Sequence, residues 1–173
     1  MSFPRAYLPE EEIRSVENAN EVADPRNVVW VDSEKEVVYP HDCGGLRKFV
    51  EILYNRLVDI ALDLVKGITT MGILIYAPTS REYLFVSKNA NVKLIEAAGA
   101  SVIPLVREGD KVSERDRVFY ILTRKREVRS IRAGTRGIVV YVSDIVPSVP
   151  MKYVMMIVGE ENVRRFKFVP LCG

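Results

Sequence analysis

Apolar positions along the 173-residue chain change their period more than once. Leu46, Phe49, Val50, Leu53, Leu57, Ile60, Ala61 and Leu64 recur every three or four residues, the spacing of one helix face. Ile52, Val58, Leu62 and Val65 widen that face, Asp42 and Gly44-Gly45 precede it, and Gly67 closes it. The pattern predicts one long helix over about 46–66, buried on more than one side, by intrachain core in preference to a dimer seam. On either side the pattern is β. Val28-Val29-Trp30-Val31 and Glu36-Val37-Val38-Tyr39, separated by Asp32-Ser33-Glu34-Lys35, predict a hairpin. Residues 71–76 and 83–86 predict strands joined by Ala77-Pro78-Thr79-Ser80, where the proline suits a turn. Residues 1–26 are polar, contain Pro4, Pro9 and Pro25, and predict an irregular arm with a helical turn near 10–18. A last strand is expected at 163–169, with Phe166, Phe168 and Leu171 returning to the N-terminal part.

Beyond residue 92 the chain repeats itself. Ile95-Glu-Ala-Ala-Gly-Ala-Ser-Val-Ile-Pro-Leu-Val106 aligns without gaps on Ile131-Arg-Ala-Gly-Thr-Arg-Gly-Ile-Val-Val-Tyr-Val142, an offset of 36 residues. Val118-Phe-Tyr-Ile-Leu122 falls on Val154-Met-Met-Ile-Val158 at the same offset. Each unit reads strand, small-residue turn, strand, loop, strand. One unit alone leaves an apolar face bare, whereas two packed about a pseudo-twofold axis bury it as a flattened barrel or sandwich.

Within the repeat, Val106-Arg-Glu-Gly-Asp-Lys-Val112 resembles the Val-x-Glu-Gly-Asp-x-Val signature of biotinyl and lipoyl carrier domains. Ile131-Arg-Ala-Gly-Thr-Arg-Gly-Ile138 resembles the Val-Arg-Ala-Pro-x-x-Gly-x-Val run that follows the carrier hairpin. The resemblance covers roughly 92–158, and the whole chain resembles an uncharacterised archaeal family carrying this domain behind an N-terminal extension. It implies an α+β protein, mainly a β barrel-sandwich hybrid with a twofold internal repeat. The expected division is an N-terminal α/β extension at 1–91, the barrel-sandwich domain at 92–158, and a C-terminal strand and tail at 159–173 that pack back on the N-terminal part.

In such carriers a lysine at a hairpin tip is acylated by biotin or lipoate, and the family spacing from Gly109 reaches Lys125. Two features depart from that pattern. Arg124 and Arg126 flank the lysine, and the spacing back from Gly137 is one residue too long. The expectation is therefore an unmodified Lys125, no cofactor, and a non-enzymatic binding or scaffold protein with an unidentified protein partner or a second copy as a homodimer. The alternative is a carrier subunit with biotin or lipoate on Lys125. A further alternative is polyanion or nucleic-acid binding through Arg124, Lys125, Arg126, Arg129, Arg132 and Arg136. Strand alternation splits those bases between two faces, and aromatic stacking residues are sparse there.

Composition narrows the remaining classes. Hydrophobic residues make 48%, charged residues 28%, and the formal charge is +2, the balance of a globular protein. No apolar run reaches the roughly 20 residues of a membrane span, and no signal-peptide pattern opens the chain, so the cytoplasm is the expected compartment. One histidine, His41, and two cysteines, Cys43 and Cys172, are too few for a zinc site or a Ser-His-Asp triad. Two buried free thiols are expected in preference to a disulfide. Asp32, His41, Asp42 and Cys43 are expected to serve as turn and cap residues, and no catalytic or metal site is predicted.

Overall fold

Strands dominate residues 3–145 and 150–173, the part of the chain that the computed structural model describes. The first half runs β1 (Arg5–Pro9), α1 (Glu10–Ile13), α2 (Ala19–Val22), β2 (Ala23–Asp32), β3 (Val37–Tyr39) and β4 (Arg47–Ile52). A 3-10 turn (Tyr54–Arg56), α3 (Leu57–Ala61), β5 (Leu62–Asp63), β6 (Ile68–Thr69), β7 (Ile73–Ala77) and β8 (Glu82–Val86) follow. The second half holds β9 (Val92–Gly99), β10 (Ser101–Pro104), β11 (Lys111–Val112), β12 (Arg117–Leu122), β13 (Val128–Arg132), β14 (Gly137–Asp144), β15 (Met151–Val158) and β16 (Val163–Phe168).

Seven strands close into a barrel in the order β1-β4-β2-β3-β16-β8-β7. Successive residues of a strand face opposite sides, so each barrel strand divides its apolar residues. Tyr7, Val29, Val31, Val38, Phe49, Leu74, Tyr83, Phe85 and Phe166 face inward and pack together. Ala6, Leu8, Ile52, Ile73, Ile75, Leu84 and Val86 face outward, against α3 and against Ile138, Val140, Val154, Met156 and Val158 of β14 and β15.

Those two strands belong to the sheet β11-β14-β15-β9, which has the barrel on one side and the sheet β10-β12-β13 on the other. On the second side Val139, Val142, Met155 and Ile157 meet Val102, Val118 and Phe119. Because both faces are covered, β14 is buried from Gly137 to Ser143, and its sequence reads as a continuous apolar run instead of an alternation. A register shift between Val139 and Tyr141 lets Val140 and Tyr141 both join the barrel-facing cluster. Gly137 is required where β14 starts, since a Cβ there would collide with the Val158 carbonyl oxygen.

The registers carry a regularity. β12 pairs with β13 as Phe119↔Ile131, Tyr120↔Ser130, Ile121↔Arg129 and Leu122↔Val128. β15 pairs with β9 as Met155↔Ile95, Met156↔Leu94, Ile157↔Lys93 and Val158↔Val92. The second set is the first displaced by 36 residues, forward for one strand and backward for the other.

The hairpin at 28–39, the strands at 71–86 and the C-terminal strand stand where the pattern puts them, as β2/β3, β7/β8 and β16. The long helix over 46–66 does not form. Phe49, Val50 and Ile52 are β-formers and lie in β4, paired on both sides by β1 and β2, and helical structure is confined to the 3-10 turn and α3. Leu64 and Val65, which the apolar spacing puts on the helix face, are exposed in a turn where the Asp63 carboxylate accepts the Val65 and Lys66 amides at 3.0 and 3.1 Å. The arm at 1–26 is not irregular, because its Ala6, Tyr7 and Leu8 complete the barrel as β1. Leu171 is exposed and does not return to the core. The two thiols are not free: Cys43 and Cys172 form a disulfide with Cα atoms 5.6 Å apart, because β16 runs parallel to β3 and carries the tail to the loop that follows β3.

Candidate functional site

The hairpin between β12 and β13 ends in a tight tip. The Thr123 amide donates to the Glu127 carbonyl at 2.9 Å, the Arg126 amide to the Thr123 carbonyl at 3.0 Å, and the Glu127 amide to Thr123 Oγ1 at 3.1 Å. Arg126 takes the left-handed conformation at φ +62°, which lets the chain reverse. Arg124, Lys125 and Arg126 are exposed there, and among the described residues none of them has an ion-pair partner.

The remaining basic candidates are dispersed. Arg129 is paired with Glu127 at 3.4 Å and Arg132 donates to the Arg115 carbonyl at 3.1 Å. Arg136 lies elsewhere, in a cavity of about 580 Å³ with Lys93, Glu160 and Glu161, where β9 begins. The hairpin lies at the other end of β9, where the Ala100 amide donates to the Leu122 carbonyl. A strand of that length spans roughly 25 Å.

Below the tip, the outer face of β10-β12-β13 is apolar. Phe119 points inward and is fully buried, while its neighbours Tyr120 and Leu122 point outward and are 36% and 38% exposed. Across the ladder, Ile103 opposite Tyr120 is 55% exposed and Val128 opposite Leu122 is 71% exposed. Ile103, Tyr120, Leu122 and Val128 thus make a bare apolar strip that ends at Arg124, Lys125 and Arg126.

A buried polar knot holds this sheet pair to the first half of the chain. Glu108 is buried, and its Oε2 accepts the Val142 amide at 3.2 Å and the Tyr54 hydroxyl. The Tyr141 hydroxyl donates to the Tyr54 carbonyl at 2.6 Å, and the two rings lie 4.7 Å apart. Burial and then the Glu108 carboxylate push the Tyr54 hydroxyl well above the usual phenol range. Burial pushes Tyr141 up as well, so both hydroxyls stay protonated and serve as donors. Gly109, beside Glu108, sits at φ +97° and donates its amide to the Val139 carbonyl at 2.7 Å.

Sequence reasoning quoted Glu108 within a signature but gave it no partner, and it placed Tyr54 inside a helix. The available signal was a glutamate between the apolar Val106 and Val112 in a loop between strands. Asp32 and Asp42 act as turn residues, accepting the Glu34 and Lys35 amides and the Gly44 amide respectively. Among the described residues no three His, Cys, Asp or Glu side chains gather as a metal cluster, and no helix is long and apolar enough to cross a membrane.

The geometry defines a mainly β protein built on a closed seven-stranded barrel. Residues 1–160 match the model of a family described as uncharacterized protein conserved in archaea (DUF2118), and the chain belongs to that family. It is similar to an uncharacterized protein of Methanocaldococcus jannaschii, 23% identical over 171 residues, covering 95% of this chain and 96% of that protein.

Proposed function

We propose that the protein is a non-enzymatic binding or scaffold module of the cytoplasm, in which a biotinyl/lipoyl-like barrel-sandwich domain at about 92–158 presents its outer sheet to a protein partner. The observation that carries this reading is the bare strip Ile103, Tyr120, Leu122 and Val128 bordered by Arg124-Lys125-Arg126. The solvent face of an antiparallel sheet is ordinarily polar, and contiguous apolar exposure marks contact sites. The basic border favours an acidic partner, since complementary charge speeds encounter and rejects wrong partners. The domain reading is supported by the 36-residue displacement that relates the β12/β13 and β15/β9 registers, as an internal twofold repeat requires. The Glu-Gly-Asp signature, with Glu108 tying β14 to the 3-10 turn, supports it further. On this reading 1–91 and 159–173 form the extension.

A photo-crosslinking residue placed at position 128 tests the docking face in an archaeal host. It should yield one discrete adduct that Ile103→Asp reduces at least about tenfold, as expected of a central contact. Equal adducts from position 128 and from Lys88, on the exposed loop after β8, would remove the docking face.

A second reading is a carrier subunit, favoured by Lys125 standing at an exposed hairpin tip, on the sheet beyond the one that packs against the barrel. Intact-mass measurement of protein from its native host separates the two: an adduct of biotin or lipoate on Lys125 supports the carrier, and an unmodified mass supports the module. Polyanion binding through all six bases has weaker support, because Arg136 stands apart and Arg129 is ion-paired. It requires affinity that falls steeply with added salt.

A further inference from the structure

The barrel is filled along most of its length, but the filling stops short at one end. Arg5, Tyr76, Tyr83 and Phe166 form one row across four neighbouring strands, through the pairs Arg5↔Tyr76, Tyr76↔Tyr83 and Tyr83↔Phe166. Two places further out, Arg81 on the turn before β8 and Phe168 at the end of β16 form the lip. Between row and lip lies an open cavity of about 370 Å³ lined by Arg5, Tyr76, Arg81, Tyr83 and Phe168. Ligand sites of small molecules favour such barrel mouths and begin at about this size.

The lining has two kinds of chemistry. Three aromatic rings converge, with Tyr76 5.1 Å from Tyr83, and Phe168 stacked on Tyr83 at 6.4 Å and 30°. Phe166, one step inward from Phe168, is fully buried, yet Phe168 is left 45% exposed where it lines the cavity. At the rim are two guanidinium groups. Arg5 is balanced by Glu51 at 3.6 Å. Arg81 is exposed at φ +56°, and among the described residues it has no ion-pair partner, its neighbour Glu82 being taken by Arg165 at 3.1 Å. The mouth therefore carries one uncompensated positive charge over an aromatic floor. The half-buried Tyr76 ring and the exposed Phe168 ring offer surface for a flat apolar ring to stack on, with Tyr83 buried behind them, and an arginine takes a carboxylate or phosphate with directed hydrogen bonds.

We propose that this barrel mouth is a binding site for a planar aromatic anion, with the ring against Tyr76, Tyr83 and Phe168 and the anionic group toward Arg81 and Arg5. The site is independent of the hairpin, which lies on the other sheet system, so success or failure here leaves the docking reading untouched.

Two probes distinguish a nucleotide from an aromatic acid: adenosine 5′-monophosphate and indole-3-acetate, each titrated into the full chain and followed by amide resonances. One of them should shift the signals of Arg5, Tyr76, Arg81, Tyr83 and Phe168 and leave those of Arg124, Lys125 and Arg126 in place. Its ring-only and anion-only halves, adenosine or indole and inorganic phosphate or acetate, should bind at least about tenfold more weakly. Arg81→Asn, chosen because asparagine tolerates the left-handed conformation, should weaken the probe about tenfold and leave its ring-only half unaffected. Phe168→Leu should weaken both. The proposal is overturned if neither probe shifts these signals up to about 5 mM, or if both variants bind as the parent does.

Discussion

In the barrel, seven strands close on one another and the interior is packed with rings: Phe85 lies stacked on Phe166 at 5.5 Å, and Phe49 meets Phe85 edge-on. In the sheet β10-β12-β13, the two outer strands each pair with β12 alone, and the covered side is packed with Val102, Val118, Met155 and Ile157 around Phe119. Closure leaves the barrel no ladder edge, so a ligand reaches its interior only through a mouth. The open sheet keeps edges and an outward apolar face, so a partner of the kind proposed would meet it along its flank. One chain thus offers two unlike surfaces, separated by the doubly covered sheet that holds β14.

High pH should test both regions at once and has the largest expected effect. Tyr7 and Tyr83 in the barrel and Tyr54 and Tyr141 in the polar knot are all held above the ordinary phenol value of 10.0, chiefly by burial. Their folded values exceed their unfolded ones, so the stability tied to the neutral phenols is complete below pH 10.0 and is lost as pH climbs through the raised values. The share of the phenolate absorbance that belongs to these four of the eight tyrosines should therefore rise only together with loss of the far-ultraviolet circular dichroism signal. Ionisation of all eight tyrosines near pH 10.0 with the fold intact would contradict the buried placement.

Phe166→Ala should cost about 3–5 kcal/mol in urea unfolding, the range for removing a buried ring. Because the outward barrel residues share a cluster with β14 and β15, the transition should stay a single step. A two-step curve would show that the barrel and the sheets unfold separately.

Glu108→Ala comes next. It leaves the Tyr54 hydroxyl and the Val142 amide without their acceptor and should cost about 3 kcal/mol. In a double-mutant cycle with Tyr54→Phe, the two losses should fall short of additivity, since both remove one hydrogen bond. The smallest effect is expected on the bare strip. Val128→Thr should change stability by no more than about 0.5 kcal/mol, and a larger loss would mean that this face is packed and not open.

Local order was legible where partners are near in sequence. The Val28–Val31 and Val37–Tyr39 segments, β7 with β8, and the hairpin carrying Lys125 all pair across short turns. Closure of the barrel was not legible, because it depends on contacts such as Lys167↔Val37 and Arg5↔Tyr76 between distant segments. The misread helix has a similar origin. Phe49, Val50, Leu57 and Ala61 belong to two different elements whose apolar residues happen to fall at helical spacing. The mouth residues Arg5, Arg81 and Phe168 carry no motif, and only the register brings them together.

The Cys43–Cys172 bond has a consequence for the integrity of the molecule after cleavage. The two cysteines are 129 residues apart, and the stretch between them includes the exposed Arg124-Lys125-Arg126 tip. A single tryptic cut at that tip would release nothing, since the pieces before and after the cut remain tied through sulfur. Nicked protein should migrate as one species without reductant and separate into two fragments with it.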